Sequence, residues 1–245
     1  PKDLSQGKRK KRKEPRPHQL KAIDAVFEGF KNSNRGQLLM ACGTGKTLTS
    51  LWIKERLEAK EVLVLLPSLS LLSQTLKEWI SNAKKTFKWI CVCSDYTVAK
   101  KDEITEDWLK NTSEIGIPVT SEIKDIEKFL KEEGSKVVFS TYQSSPLVVK
   151  AQEKTLTFDI VFADEAHRCA GTVSQAFGNI LEETKIKKNK RLFLTGTPRV
   201  ISKRIKKRAE EENIEINSMD DEEIFGKVFH NLKFSEAIKN DLLTD

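Results

Sequence analysis

Two short stretches hold the residue types that phosphate chemistry requires. The first is Met40-Ala41-Cys42-Gly43-Thr44-Gly45-Lys46-Thr47, at the end of the apolar run Leu38-Leu39-Met40. Leu48, Leu51, Trp52 and Leu57 follow at helical spacing. A strand, a glycine turn, Lys-Thr and a helix, in that order, cradle the phosphates of a nucleotide. Gly43 and Gly45 let the backbone approach without a Cβ in the way. N–H groups at the helix start point at the phosphate oxygens. Lys46 suits the β- and γ-phosphates, and the Thr47 hydroxyl suits Mg²⁺. Met40 stands where the general pattern has its first glycine.

The second stretch, Asp164-Glu165-Ala166-His167, closes the apolar run Ile160-Val161-Phe162-Ala163. Asp164 suits the metal shell, and Glu165 suits orienting and deprotonating a water. Taken alone, the acidic pair reads as a solvated turn, while coincidence accounts for a bare Gly-Lys-Thr in roughly one case in five. Together they point to an ATPase. Gln19 adds an amide able to donate and accept, matching the adenine N6 and N7 edge. By itself, a Gln there reads as a helix cap.

These groups need a frame to hold them. Leu20, Ile23, Val26, Phe27 and Phe30 place an amphipathic helix before the phosphate loop. Val62 to Leu66 is a nearly continuous apolar strand, as expected where both faces are covered. Leu71, Leu72, Leu76, Trp79 and Ile80 mark the next helix, and Phe87 to Cys93 the next strand. Charges dominate from Asp95 to Gly134, with Trp108, Ile115, Ile117 and Val119 as anchors and a short helix at Ile123 to Leu130. Strands at 137–139, 160–163 and 191–194 follow, with helices expected at 173–183 and 202–212. Alternating strands and helices imply an α/β fold with a mainly parallel sheet and helices on both faces.

Composition sets outer bounds. The chain has 245 residues, 38% hydrophobic and 32% charged, enough for one large domain with extensions. No apolar stretch reaches membrane-spanning length, so a cytoplasmic protein is expected. The net charge is +7, and the run Lys8 to Lys13 supplies six of it. The tail, residues 1–13, is expected to be disordered and reads equally as an arm for polyanions or as a solvated run. Cys42, Cys91, Cys93 and Cys169 lack the second close pair of a zinc site and read as reduced, mostly buried thiols.

The order Gln19, Gly43 to Thr47, Pro67-Ser68-Leu69-Ser70, Ser140-Thr141-Tyr142-Gln143-Ser144, Asp164 to His167 and Thr195-Gly196-Thr197-Pro198 resembles the first motor domain of superfamily-two helicases and translocases. It is most similar to the helicase subunits of type III, type I and single-polypeptide type I restriction enzymes. The resemblance spans roughly residues 14–200. It implies a RecA-like phosphate-loop domain that binds ATP and Mg²⁺ and moves on double-stranded DNA in a restriction system. Arg16 and Gln19 would shape the adenine pocket, joined by Gly43, Thr44, Gly45, Lys46 and Thr47 at the phosphates. Thr47 and Asp164 would hold the metal, and Glu165 would be the base. His167, Thr195 and Thr197 would couple hydrolysis to movement. Pro67, Ser68, Ser70, Thr141, Gln143 and Ser144 would contact one nucleic-acid strand. Helix capping and turn chemistry also account for those last two stretches.

The family often carries an adenine-stacking aromatic upstream of the Gln, and none precedes Gln19. The resemblance also implies a second RecA-like domain that supplies an arginine finger, and nuclease and methylase modules. Residues 201–245 read as a charged helical extension and connector towards that domain, so a weakly active fragment is expected. A repair or RNA helicase, a remodeller, or an ATP-dependent nucleic-acid sensor with little turnover are the alternatives.

Overall fold

A computed structural model describes residues 12–93, 117–152, 155–172, 175–212 and 214–242. Most of the basic tail and the charged stretch around Trp108 and Ile115 lie outside the described residues. The elements in order are α1 (Pro17–Asn32), β1 (Arg35–Met40), α2 (Lys46–Arg56), β2 (Glu61–Leu66), α3 (Leu69–Asn82) and β3 (Lys88–Val92). Then come α4 (Ile123–Leu130), β4 (Lys136–Thr141), α5 (Ser145–Gln152), β5 (Phe158–Ala163), β6 (Gly171–Thr172) and α6 (Gln175–Gly178). The last are β7 (Lys188–Thr195), α7 (Lys203–Glu211), β8 (Ile216–Asn217), α8 (Glu222–Phe225), β9 (Lys227–Leu232) and α9 (Phe234–Lys239).

Among the described residues, seven strands form one sheet in the order β3-β4-β2-β5-β7-β1-β9, every pairing parallel. Alternate side chains build a core on each face. Leu38, Met40, Val64, Phe139, Phe162 and Leu194 pack under α1, α2 and α3. Leu63, Leu65, Val138, Val161 and Phe193 pack with Ile126, Phe129 and Val148 from α4 and α5 on the other face. The fold is the α/β architecture with a parallel sheet and helices on both faces that the pattern implies.

Trp79 fastens the first face. Fully buried, its ring meets Phe139 and Phe162 edge-on at centroid distances of 5.5 and 5.9 Å. Its indole N–H donates to the Thr47 carbonyl at 2.9 Å, so α3 also holds the start of α2. Local signals set the helix starts. Pro17 occupies the first position of α1, and the Ser68 hydroxyl accepts the Leu71 N–H at 3.3 Å to cap α3.

The helix α5 and the short elements β6, β8, α8 and α9 add to the sequence expectation, and two further elements overturn it. Of the helix expected over 173–183, the described residues form only the turn-length α6, because Gly178 begins a tight turn, its carbonyl accepting the Leu181 N–H at 2.8 Å. The Asn179 amide is drawn instead to the Ser145 hydroxyl, 3.0 Å away. The second difference is β9, from the stretch read as connector, which pairs with β1 as the edge strand of the sheet. Its polar and apolar residues alternate weakly because an edge strand is only half covered.

Phe229 of β9 lies against Gly29 of α1 and Gly36 of β1, where a Cβ at either position would overlap its ring. It also meets Phe30 edge-on, with centroids 5.2 Å apart. In an open helix, Gly29→Ala would gain about 0.5–1 kcal/mol. Here overlap should cost about 1–3 kcal/mol and reverse the sign. Urea unfolding should therefore show Gly29→Ala destabilising in the native background and stabilising beside Phe229→Ala. Stabilisation in both would mean that β9 does not pack on α1 this closely.

Candidate functional site

Because every strand runs the same way, the loops after β5, β7 and β1 emerge side by side at one edge of the sheet. That brings Asp164 and Glu165, then Thr195 to Thr197, then the phosphate loop together. β5 and β1 are two strands apart, about 10 Å at the usual spacing. The long Lys46 side chain spans the gap. Its ammonium stands 3.7 Å from Glu165 Oε1 and donates to the Met40 carbonyl at 3.4 Å.

The loop has the geometry of a phosphate cradle. Gly43 and Gly45 take φ of 81° and 85°, where a side chain would be strained. Gly45 is the N-cap of α2 and no side chain caps that end, so the first-turn N–H groups face the cleft. Met40 needs no glycine conformation, because it is the last residue of β1 with its side chain fully buried. The cleft has a volume of about 720 Å³ and is lined by Arg16, Gln19, Lys46, Thr47, Asp164 and Glu165 among others.

Gln19 is buried against this loop. Its Oε1 accepts the Arg16 N–H at 2.8 Å and its Nε2 donates to the Thr44 carbonyl at 3.1 Å. One N–H and one lone pair of the amide have no bond among the described residues, leaving capacity for a base edge. His18 places Nε2 3.1 Å from the same Thr44 carbonyl, so the start of α1 clamps the loop twice. Arg16 is exposed at the cleft wall.

At the end of β5, Asp164 donates its N–H to the Leu65 carbonyl at 2.9 Å and accepts the Glu165 N–H on Oδ1 at 3.0 Å. Packing by protein and the neighbouring Glu165 push its carboxyl up from 3.8 to about 6, and Lys46 offsets only part of this. Glu165 adopts φ 48°, a left-handed conformation unusual for a side-chain-bearing residue. The turn sends its carboxylate between two partners, with Oε1 towards Lys46 and Oε2 3.3 Å from His167 Nδ1. His167 Nδ1 is also 2.9 Å from Thr195 Oγ1 and 3.5 Å from Thr197 Oγ1. Burial lowers the His167 pKa although Glu165 opposes the shift, favouring neutral imidazole.

The β7 loop touches the phosphate loop directly. A Cβ on Gly196 would lie 2.9 Å from the Met40 oxygen and 3.1 Å from the Cys42 nitrogen. The Thr197 N–H donates to Thr195 Oγ1 at 3.1 Å, holding that hydroxyl towards His167. Together these contacts link the acidic pair, the β7 loop and the phosphate loop.

The serine- and threonine-rich stretches lie after β2 and β4, farther along the same edge. Pro67 is buried, Ser68 caps α3, and Ser70 is exposed. Thr141 Oγ1 donates to Ser144 Oγ at 3.0 Å, both residues being buried, while Gln143 is half-buried. Ser70 and Gln143 therefore reach the surface, and the Ser68, Thr141 and Ser144 hydroxyls make local bonds.

Sequence reasoning missed three supporting side chains. His18 grips Thr44, the Trp79 indole holds Thr47, and the Tyr142 hydroxyl donates to the Asp164 carbonyl at 2.8 Å. Proximity to Gln19 was the signal for His18. Tyr142 had one in its place after an apolar strand. Lys13 was assigned to the tail, yet it lines the cleft and its N–H donates to Asn82 Oδ1 at 2.9 Å.

The cradle fits a polyphosphate, with left-handed glycines, an uncapped helix start and an ammonium in place. Its donor set of one hydroxyl and neighbouring carboxylates suits Mg²⁺, which keeps several waters and binds through phosphates. Among the described residues, no three His, Cys, Asp or Glu side chains gather as a metal cage, and no helix is long and apolar enough to cross a membrane.

A family profile described as type III restriction enzyme, res subunit, matches residues 12–200. A protein of African swine fever virus described as a probable helicase is 34% identical over 187 residues, covering 76% of this chain and 20% of the viral protein. Among solved structures, the ATP-dependent Type ISP restriction-modification enzyme LlaBIII bound to DNA superposes with a TM-score of 0.76 at 36% identity, over 96% of this chain and 16% of that one. A nuclease-deletion mutant of the Type ISP enzyme LlaGI, in complex with a DNA substrate mimic, gives 0.72 at 34% identity, over 94% and 21%. The chain thus spans about a fifth or less of the length of these relatives.

The raised Asp164 pKa makes a prediction about stability. Its folded-state pKa exceeds the unfolded value, so its relative contribution is greatest below about 3.8 and is lost as pH rises through about 6. Asp164→Asn stays neutral and escapes that loss. Its stability relative to wild type should rise between pH 4 and 6.5 by at most about 3 kcal/mol, then level off. Denaturant melts without nucleotide or metal would show this. A difference independent of pH would mean Asp164 is not desolvated.

Proposed function

The chain belongs to the type III restriction enzyme res-subunit family, and on that premise we propose that it is the ATP-binding first motor domain of a superfamily-two DNA translocase. Its work would be to hydrolyse ATP and drive movement on double-stranded DNA within a restriction-modification system. The observation that carries this reading is Glu165 held between Lys46 and His167, with His167 bonded in turn to Thr195. One carboxylate then faces both the phosphate site and the loop that senses it. The two Type ISP enzymes are described with DNA or a DNA mimic, which supports DNA as the track.

Bound ATP and Mg²⁺ would supply the transferable phosphoryl group and the charge that polarises it. Lys46 and the first-turn N–H groups of α2 would hold the phosphate oxygens, and Thr47 and Asp164 would hold the metal. Glu165 accepts the proton of the attacking water at a carboxylate oxygen. Arg16 and the spare N–H and lone pair of Gln19 meet the base. His167, Thr195 and Thr197 carry a change at Glu165 into the β7 loop. Of the stretches Pro67 to Ser70 and Thr141 to Ser144, the exposed Ser70 and the half-buried Gln143 would meet the nucleic-acid backbone, and the remaining members would shape the two turns that present them.

We read residues 14–200 together with β9 as the nucleotide-binding unit, with the remaining extension leading to a second RecA-like domain and to nuclease or methylase modules. Following the resemblance, we assign the transition-state arginine to that second domain; of Arg16, Arg168 and Arg199, each inside or beside a motif of its own, Arg199 bonds the Ala170 carbonyl at 3.1 Å. Residues 1–245 alone should then bind Mg-ATP weakly and turn it over slowly. A helicase acting outside restriction is the second reading, favoured by the viral relative's description.

Glu165→Gln keeps the shape of the side chain and removes the proton acceptor. In the protein that carries this domain, DNA-stimulated phosphate release should fall by roughly 10²–10⁴-fold while Mg-ATP still binds. Near-normal turnover would remove Glu165 from the role of base. Stimulation by RNA in place of duplex DNA would favour the second reading.

A further inference from the structure

The cations of α7 take no part in the site described so far. Lys203, Arg204, Lys206, Lys207 and Arg208 are five cations in six positions, followed by Glu210, Glu211 and Glu212. Outside the tail the chain carries only one net positive charge, so this is a local concentration rather than a share of general basicity. Lys206 pairs with Asp220 at 3.0 Å. Lys203, Arg204, Lys207 and Arg208 are exposed and form no salt bridge among the described residues.

The polarity of α7 is the opposite of what its own stability favours. The positive end of a helix dipole lies at the N-terminus, where acidic residues stabilise and cations do not. Here the first turn holds cations and no acid, no side chain caps it, and the acids crowd the last turn. Intrahelical energetics therefore do not account for this arrangement.

The helix is nevertheless firmly placed. Ile201 donates its N–H to Ser218 Oγ at 2.8 Å, Met219 donates to the Arg199 carbonyl at 3.1 Å, and Ala209 is buried. These bonds close the 200–219 excursion at its base, beyond the carboxyl end of β7. Contacts join that region to the turn after β4. Phe177 stacks on Tyr142 with centroids 4.7 Å apart, Arg199 holds the Ala170 carbonyl, and β6 pairs with β8.

We infer that Lys203, Arg204 and Lys207 form a second phosphate-contacting surface for the nucleic-acid backbone, continuing the row of turns at the carboxyl edge of the sheet. The inference rests on the functional reading above only in taking nucleic acid as the polyanion. Position 207 lies three residues after 204 and four after 203, so all three fall within about 100° of one helix face and one backbone can meet them. Charge contacts of this kind carry affinity and salt dependence without reading sequence.

The test is the triple variant Lys203→Glu, Arg204→Glu, Lys207→Glu in the full 245-residue chain, against labelled duplex DNA by fluorescence anisotropy from 50 to 200 mM salt. Acids at 203 and 204 favour the helix dipole while one at 207 adds like-charge pairs with Glu210 and Glu211, so circular dichroism must show the helix content unchanged before lost binding is read as lost contact. The slope of log affinity against log salt should fall by roughly two to three, about 0.9 for each lost contact, and affinity at low salt by roughly 10-fold or more. A control of equal charge change, Lys84→Glu, Lys85→Glu, Lys88→Glu at the opposite edge of the sheet, should leave the slope near wild type. Mg-ATP affinity should not change in either variant. An unchanged slope in the α7 variant, or an equal drop in the control, overturns the inference and leaves the motor reading standing. Failure of the wild-type chain to bind any nucleic acid overturns both.

Discussion

Glu165 is held in a left-handed turn between an ammonium and an imidazole, and the arrangement of the site depends on that placement. A side-chain-bearing residue at φ 48° costs on the order of 1–3 kcal/mol unless its surroundings hold it there. Those surroundings are visible. The Asp164 backbone is fixed on both sides, by Leu65 through its N–H and by the Tyr142 hydroxyl through its carbonyl. The turn that follows must then send the Glu165 carboxylate across the cleft. A relaxed turn would release Lys46 and His167 together.

From that constraint the parallel sheet does the rest. Strand order alone sets β7 between β5 and β1, so the loop bearing Thr195 lies beside both the acids and the phosphate loop. The clearance for Gly196 against Met40 and Cys42 leaves little room for the two loops to move independently. Displacement of Lys46 or Glu165 would be felt at His167 and Thr195 through contacts of about hydrogen-bond length. Burial lowers the His167 pKa against the pull of Glu165, which favours the neutral imidazole in this chain of contacts.

Much of the frame was legible in the amino-acid order. β2 and β5 are continuous apolar runs because both faces of a central parallel strand are covered, and Gly43 and Gly45 announce a turn that only glycine makes easily. β9 was not legible, because an edge strand needs cover on one face and Phe229 finds it against glycines far away in sequence. The clamp from His18 to Thr44 depends on a contact 26 residues away. The left-handed turn at Glu165 carried no glycine to mark it, so its residue types suggested the chemistry but not how the carboxylate is aimed. The helix expected at 173–183 followed an apolar pattern that Gly178 and the Asn179–Ser145 bond interrupt.

The central claim is that Lys46, the uncapped start of α2 and the carboxylates opposite them form one phosphate site. Titration of Mg-ATP into the wild-type chain and into Lys46→Ala, with circular dichroism on both, tests it most directly. A loss of affinity of at least about tenfold with the fold intact is the predicted result, since in the proposed site the ammonium would be the charge facing the phosphates. Equal affinity in the two proteins would contradict it, and would mean that nucleotide, if bound at all, does not meet this loop.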